Sequence, residues 1–188
     1  MNEPRTLTEA ISRIQANLSQ LDWTDKIYGR ATIQDQNKVG DERPQLIPMA
    51  YASNGEYEDC RPNDSYKSIL FFVATESEKN DYSLASPKGH APNHILRAQR
   101  PVTLIGWANL ANQPGYDDGS GFGELIKISL KNSLRSVRCV ISIGNYQDGL
   151  LNEVYKPFVV SALDRKYNRW PHLAFRLELV LQYIETNP

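Results

Sequence analysis

A chain of 188 residues is long enough for one domain with a substantial core. Its 21 basic and 22 acidic residues leave a net charge of -1, which counts against a general nucleic-acid binder. Hydrophobic residues at 40% and a mean hydropathy of -0.51 predict that surplus polar residues sit in long loops. No stretch approaches the roughly eighteen apolar residues of a membrane helix. The opening MNEPRTLTEA has no apolar signal-like run, so cytoplasmic synthesis and no membrane partner are expected.

Thr6 to Leu21 is the clearest helix. Thr6 and Glu9 have capping-box spacing. Leu7, Ile11, Ile14, Leu18 and Leu21 follow at steps of four and three, one continuous apolar stripe. KIYGRATI then reads as a strand. Residues 34–45 are polar, glycine or proline except for Val39, the pattern of an exposed hairpin tip or arm. LIPMAYA (46–52) reads as a short strand, placed at an edge or bulge by Pro48.

Residues 53–67 form a polar crossing that contains Cys60. SILFFVAT (68–75) is a continuous apolar run, as expected of a strand buried on both faces. Residues 76–100 show little periodicity and read as a long excursion. PVTLIGWANL (101–110) is a strand. The loop 111–123 leads through Gly119, Gly121 and Gly123 into a helix over 124–136. VRCVISIGN (137–145) is a strand, with Cys139 as a small core residue, and 146–149 a turn. Residues 150–164 are ambiguous, because Pro157 interrupts any helix.

The chain closes on YNRWPHLAFRLELVLQYI (167–184). Leu173, Phe175, Leu177, Leu179, Leu181 and Tyr183 fall on one face of an extended strand; Arg176, Glu178 and Gln182 fall on the other. Its length predicts a central strand that others pair with. Together the elements predict a single α+β domain over 1–188. A mixed or antiparallel sheet packs with two or three helices, and polar loops project at 35–45, 53–67 and 76–100.

Residues that carry chemistry are sparse. The Gly119–Gly123 loop ahead of a helix presents amides as a phosphate site would, but no Lys-Ser or Lys-Thr follows and the dinucleotide spacing is missed. Asp117 and Asp118, and the group Glu56, Glu58, Asp59 and Asp64, lack calcium-loop spacing and read as solvated turns. His90 and His94 stand four apart but are separated by Pro92, and His172 reads as structural. Cys60 and Cys139 match no metal spacing, and a disulfide is not expected. These observations predict no catalytic residue, no metal and no cofactor.

The N-terminal helix, LFFVATES, the glycine-led helix and the closing RWPHLAFRLELVLQY resemble the tail terminator and neck-ring (head-tail connector) proteins of tailed bacteriophages. The resemblance implies an α+β fold and a homo-oligomeric ring, six- or twelve-fold, located in the virion at the head-tail junction or tail end. It implies neighbouring connector, portal or tail proteins and DNA passing through the lumen without sequence-specific binding. On that basis Lys38, Arg43, Lys88, His90, His94, Arg176 and Glu178 are expected at subunit interfaces, and Lys38, Arg43, Lys88, Arg97 or Arg100 along the channel. The alternatives are a small enzyme that holds a phosphate-containing ligand on the Gly119–Gly123 loop, or a monomeric adaptor.

Overall fold

A computed structural model of the chain describes residues 3–35, 46–52, 55–74, 79–81, 96–111, 121–160, 163 and 165–185. Helix α1 spans Leu7–Leu18 and buries Leu7, Ala10, Ile11, Ile14 and Leu18, the stripe legible in the sequence. Thr6 caps it by accepting from the Glu9 N–H at 3.1 Å. The return bond of a capping box is displaced by one residue, since the Glu9 carboxylate takes the Arg5 N–H at 2.7 Å. The helix stops at Leu18 rather than Leu21. Its last carbonyls turn to tighter bonds from Gln20 and Leu21, and Thr24 Oγ1 lies 2.8 Å from the carbonyls of Leu18 and Leu21.

The strands are β1 (Lys26–Asp35), β2 (Leu46–Tyr51), β3 (Tyr57–Asp59), β4 (Ser68–Ala74), β5 (Lys79–Asp81), β6 (Leu96–Asn109), β7 (Val140–Gly149) and β8 (His172–Glu185). They form one sheet in the order β3-β2-β1-β4-β6-β8-β7, with β5 also on β6. β1 and β4 pair parallel and the other pairs are antiparallel. Helix α2 (Phe122–Arg135) and the single turn α3 (Leu151–Val154) complete an α+β fold with a mixed sheet and three helices. Among the described residues no helix is long and apolar enough to cross a membrane.

The sheet separates two buried clusters. On the inner face, α1 and α2 cover Leu70 and Phe72 of β4, Val102 and Leu104 of β6, and Phe175, Leu177, Leu179, Leu181 and Tyr183 of β8. Trp23 meets Phe175 edge to face at 5.8 Å and donates its indole N–H to Ser129 of α2 at 3.1 Å. Asn17 ties α1 to Ser133 and Ser136 of α2. Gly106 is required where the Phe175 ring crosses β6, because a Cβ there would lie 2.3 Å from Phe175 Cζ. On the outer face, α3 and the chain after it bury Ile69, Phe71, Ile105 and Trp107 beneath Tyr155, Phe158 and Tyr167. Phe71 alone touches Tyr155 at 5.4 Å and Phe158 at 5.8 Å between ring centroids. Residues 68–72 of β4 are therefore covered on both sides, as the unbroken apolar run predicts, while Val73 and Ala74 are half-buried.

Several expectations are corrected. The closing strand is interior but sixth of seven along the sheet; β6 is the strand that β4, β5 and β8 all join. β6 begins at Leu96, not Pro101, and Lys79–Asp81 is a strand, so both ends of the 76–100 excursion belong to the sheet. Arg97, Gln99 and Arg100 hid that start by their polarity. Pro101 sits where the neighbour of β6 changes from β4, paired over 102–108, to β5, paired over 97–99. The polar crossing holds the three-residue β3, and Cys60 beyond it is fully buried.

β7 starts at Val140 because 137–139 form a turn closed by Val140 N–H to Val137 C=O at 2.9 Å. It continues through 146–149, where a turn is expected from the sequence. Register shifts between 140 and 142 and between 143 and 146 break its alternation. Pro48 lies within β2 rather than at the sheet's edge. Its carbonyl accepts from Cys60 N–H beyond the end of β3, so the missing proline N–H faces the point where that short strand stops.

Candidate functional site

Cross-strand pairing sets five pairs of β6 and β8 on the outer face: Trp107 with Ala174, Ile105 with Arg176, Thr103 with Glu178, Pro101 with Val180, and Gln99 with Gln182. The first pair is sealed under the outer cluster. After Ile105 the cover ends. Arg176, Thr103, Val180 and Gln182 are half-buried, Glu178 is exposed, and none of them joins either cluster. Among the described residues neither Arg176 nor Glu178 forms an ion pair. Beside them β7 is the sheet's open edge, with Ile141 exposed at 43%.

Of the expected interface residues, Arg176 and Glu178 thus share one uncovered corner. Lys38, Arg43, Lys88, His90 and His94 lie outside the described residues. Arg97 and Arg100 do not act together: Arg97 pairs with Glu3 at 3.1 Å, whereas Arg100 stands opposite Leu181 on the inner face.

The glycine-led helix opens onto a cleft of about 440 Å³. Gly121, the N-cap, has φ +74, the left-handed backbone that glycine supplies without strain. The cleft's described lining includes Glu124, Asp148, Trp170 and His172 but no lysine or arginine. Asp148 lies directly over the first turn of α2, where a Cβ on Gly123 would collide with its carboxylate. The positive helix end is therefore already faced by a carboxylate, and with Glu124 beside it the cleft repels a phosphate rather than cradling one. Burial, then the Asp148 charge, pushes the neighbouring Tyr146 phenol far up. Asp117 and Asp118 lie outside the described residues.

The other acidic group is committed to structure. Glu58 takes Lys26 at 2.9 Å, Asp59 takes Arg61 at 2.6 Å, and Asp64 takes Lys166 and the Tyr167 hydroxyl. The Lys26 hydrogen bond holds the Glu58 carboxyl below its ordinary range. His172 stacks on Trp107 at 5.3 Å and meets Tyr167 edge to face at 5.4 Å. Burial lowers its pKa, so it serves as a neutral ring that extends the outer cluster. Both cysteines are free and buried, and burial raises both thiols, which leaves them inert. Among the described residues no group of three His, Cys, Asp or Glu could hold a metal.

Two features escape sequence reading: the carboxylate over the α2 terminus, because Asp148 sits in a segment read as a turn, and a basic hollow at Arg13 and Arg138, two residues far apart in the chain. Compared with protein-family models, curated proteins and solved structures, the chain has no match.

Proposed function

We propose that the chain is a structural protein of a tailed bacteriophage, a neck or tail-terminator component that acts by assembly and performs no catalysis. Copies join into a closed homo-oligomeric ring at the head-tail junction or tail end, between connector, portal or tail neighbours, and DNA passes through the lumen. The reading begins from the resemblance of the helix, the glycine-led helix and the closing strand to such proteins. The observation that carries it further is the uncovered corner of the sheet. There a long two-stranded ladder presents an unpaired acid and base, Glu178 and Arg176, next to an open edge strand.

A ring needs two different patches that meet head to tail. The corner supplies one patch. The second falls to the arm that carries Lys38 and Arg43 and the excursion that carries Lys88, His90 and His94. Because 79–81 pairs with β6, the informative truncation replaces only 82–94 with a short glycine-serine turn. The variant is expected to fold as a monomer that no longer closes rings, and rings of unchanged size would remove the excursion from the interface.

Analytical ultracentrifugation with negative-stain imaging tests the reading itself. Rings of one size are expected, and a monomer across the whole concentration range would overturn it. The enzyme reading finds room in the cleft at α2, but its carboxylate lining suits a cationic group rather than a phosphate.

A further inference from the structure

The fold leaves positively charged side chains unmatched beside α1. Where the N-terminal segment, α1, the 137–139 turn and the ends of β6 and β8 meet, a hollow of about 80 Å³ has three arginines in its lining, Arg13, Arg97 and Arg138. One carboxylate answers them. Glu3 accepts from Arg97 Nη2 at 3.1 and 3.3 Å. Among the described residues neither Arg13 nor Arg138 has a carboxylate partner. Two of the three arginines in the lining therefore have no carboxylate partner, although the whole chain has a net charge of -1. Arg138 is not explained as a counter-charge to the end of α2, because Arg135 already occupies that helix's last turn.

A second hollow, of about 400 Å³, adjoins the first. Arg13 and Arg138 line it too, together with Ala16, Asn17, Ser136 and Val137. The two arginines thus stand between a small polar recess and a larger groove with apolar and amide walls.

We propose that this pair of hollows is a binding site for a phosphate group, with Arg13 and Arg138 as its ligands and the groove holding whatever the phosphate is attached to. Charge, shape and size favour such a ligand. Two free guanidinium groups match the charge of a phosphate monoester, which is about -1.5 to -2 at neutral pH. The planar fork of arginine is the side chain suited to bidentate contacts with such oxygens. The recess has room for two or three waters at about 30 Å³ each, the scale of one tetrahedral oxyanion. The proposed ligands, Arg13 and Arg138, lie on α1 and the 137–139 turn and not at the Arg176/Glu178 corner, although Arg97 and Gln182 also line the smaller hollow.

The test uses the full chain, with inorganic phosphate and phenyl phosphate titrated against sodium chloride of equal ionic strength. Binding is followed by amide chemical shifts in NMR spectra. Saturable shifts at residues around 13 and 138 are expected with the phosphates and not with chloride. R13Q/R138Q should weaken binding by about tenfold or more, since charge-assisted bonds are lost. R135Q, which removes a nearby cation outside both hollows, should leave binding unchanged. Tighter binding of phenyl phosphate would assign the groove to an ester's organic part, and equal affinity would assign the site to free phosphate. No shift beyond the chloride control, or full binding by a folded R13Q/R138Q, would overturn the proposal. Ring formation is read separately, so the failure of one reading does not disguise the failure of the other.

Discussion

At one end of the β6–β8 ladder Trp107 faces Ala174 beneath Tyr167, sealed from water; two pairs along the same face Thr103 faces Glu178 in the open. Backbone pairing is continuous between the two ends, and the inner face below them is uniformly apolar. What differs is the layer above. The cover that includes Tyr155, Phe158 and Tyr167 takes in Trp107 and Ile105 but not Thr103 or Glu178, so the side chains change character at Ile105 and Arg176. The covered end stores stability by burial, at roughly 1.5–3 kcal/mol for each large apolar side chain. The open end adds little to the monomer and is free to be selected for contact with a neighbour.

The largest effect expected lies at the covered end. Trp107→Ala should cost about 3–5 kcal/mol in denaturant unfolding. A loss below about 1 kcal/mol would mean that the outer cluster does not hold the sheet. Gly106→Ala forces a methyl into the Phe175 ring on the inner face and should cost about 1–3 kcal/mol. At the open end Val180→Ala should stay within about 0.5 kcal/mol of the parent. A cost like that of Trp107→Ala would erase the contrast between the ends.

The smallest effect concerns pH. His172 has a folded pKa below the ordinary histidine value of 6.5, because burial opposes its charge. Below about 6.5 the unfolded chain therefore binds a proton that the folded chain resists. The histidine's contribution is fully present above that pH and is lost as pH falls toward the folded value. Unfolding curves at pH 7.5 and 5.5 should show a loss that shrinks in His172→Gln. An equal loss in both proteins would assign it to other groups.

The sequence made the inner face legible because it obeys simple periods. The stripe of α1 and the alternation from Leu173 to Tyr183 each encode one buried side, and Arg176 and Glu178 could be set on the opposite side by the same alternation. The outer face hides its cover. Trp107 lies in a run apolar on both faces, which fixes burial but not the covering element. The described residues of that element include a single helical turn, Leu151–Val154, and a 3-10 turn, Arg165–Asn168, too short to show a period. Cys60 is buried alone among polar neighbours, so no pattern announces it. β7 loses its alternation to two register shifts, and β5 is only three residues long. Sites assembled across the chain, Asp148 over α2 and Arg13 near Arg138, depend on tertiary approach and leave no local spacing to read.

Charge reversal at the open corner is the sharpest test of the subunit interface proposed there. Native mass spectrometry of the parent and of Arg176→Glu, with circular dichroism and unfolding curves alongside, separates assembly from folding. One closed ring is expected for the parent, and monomers for a variant whose stability is within about 0.5 kcal/mol of the parent. A folded variant that forms the same ring as the parent would contradict it.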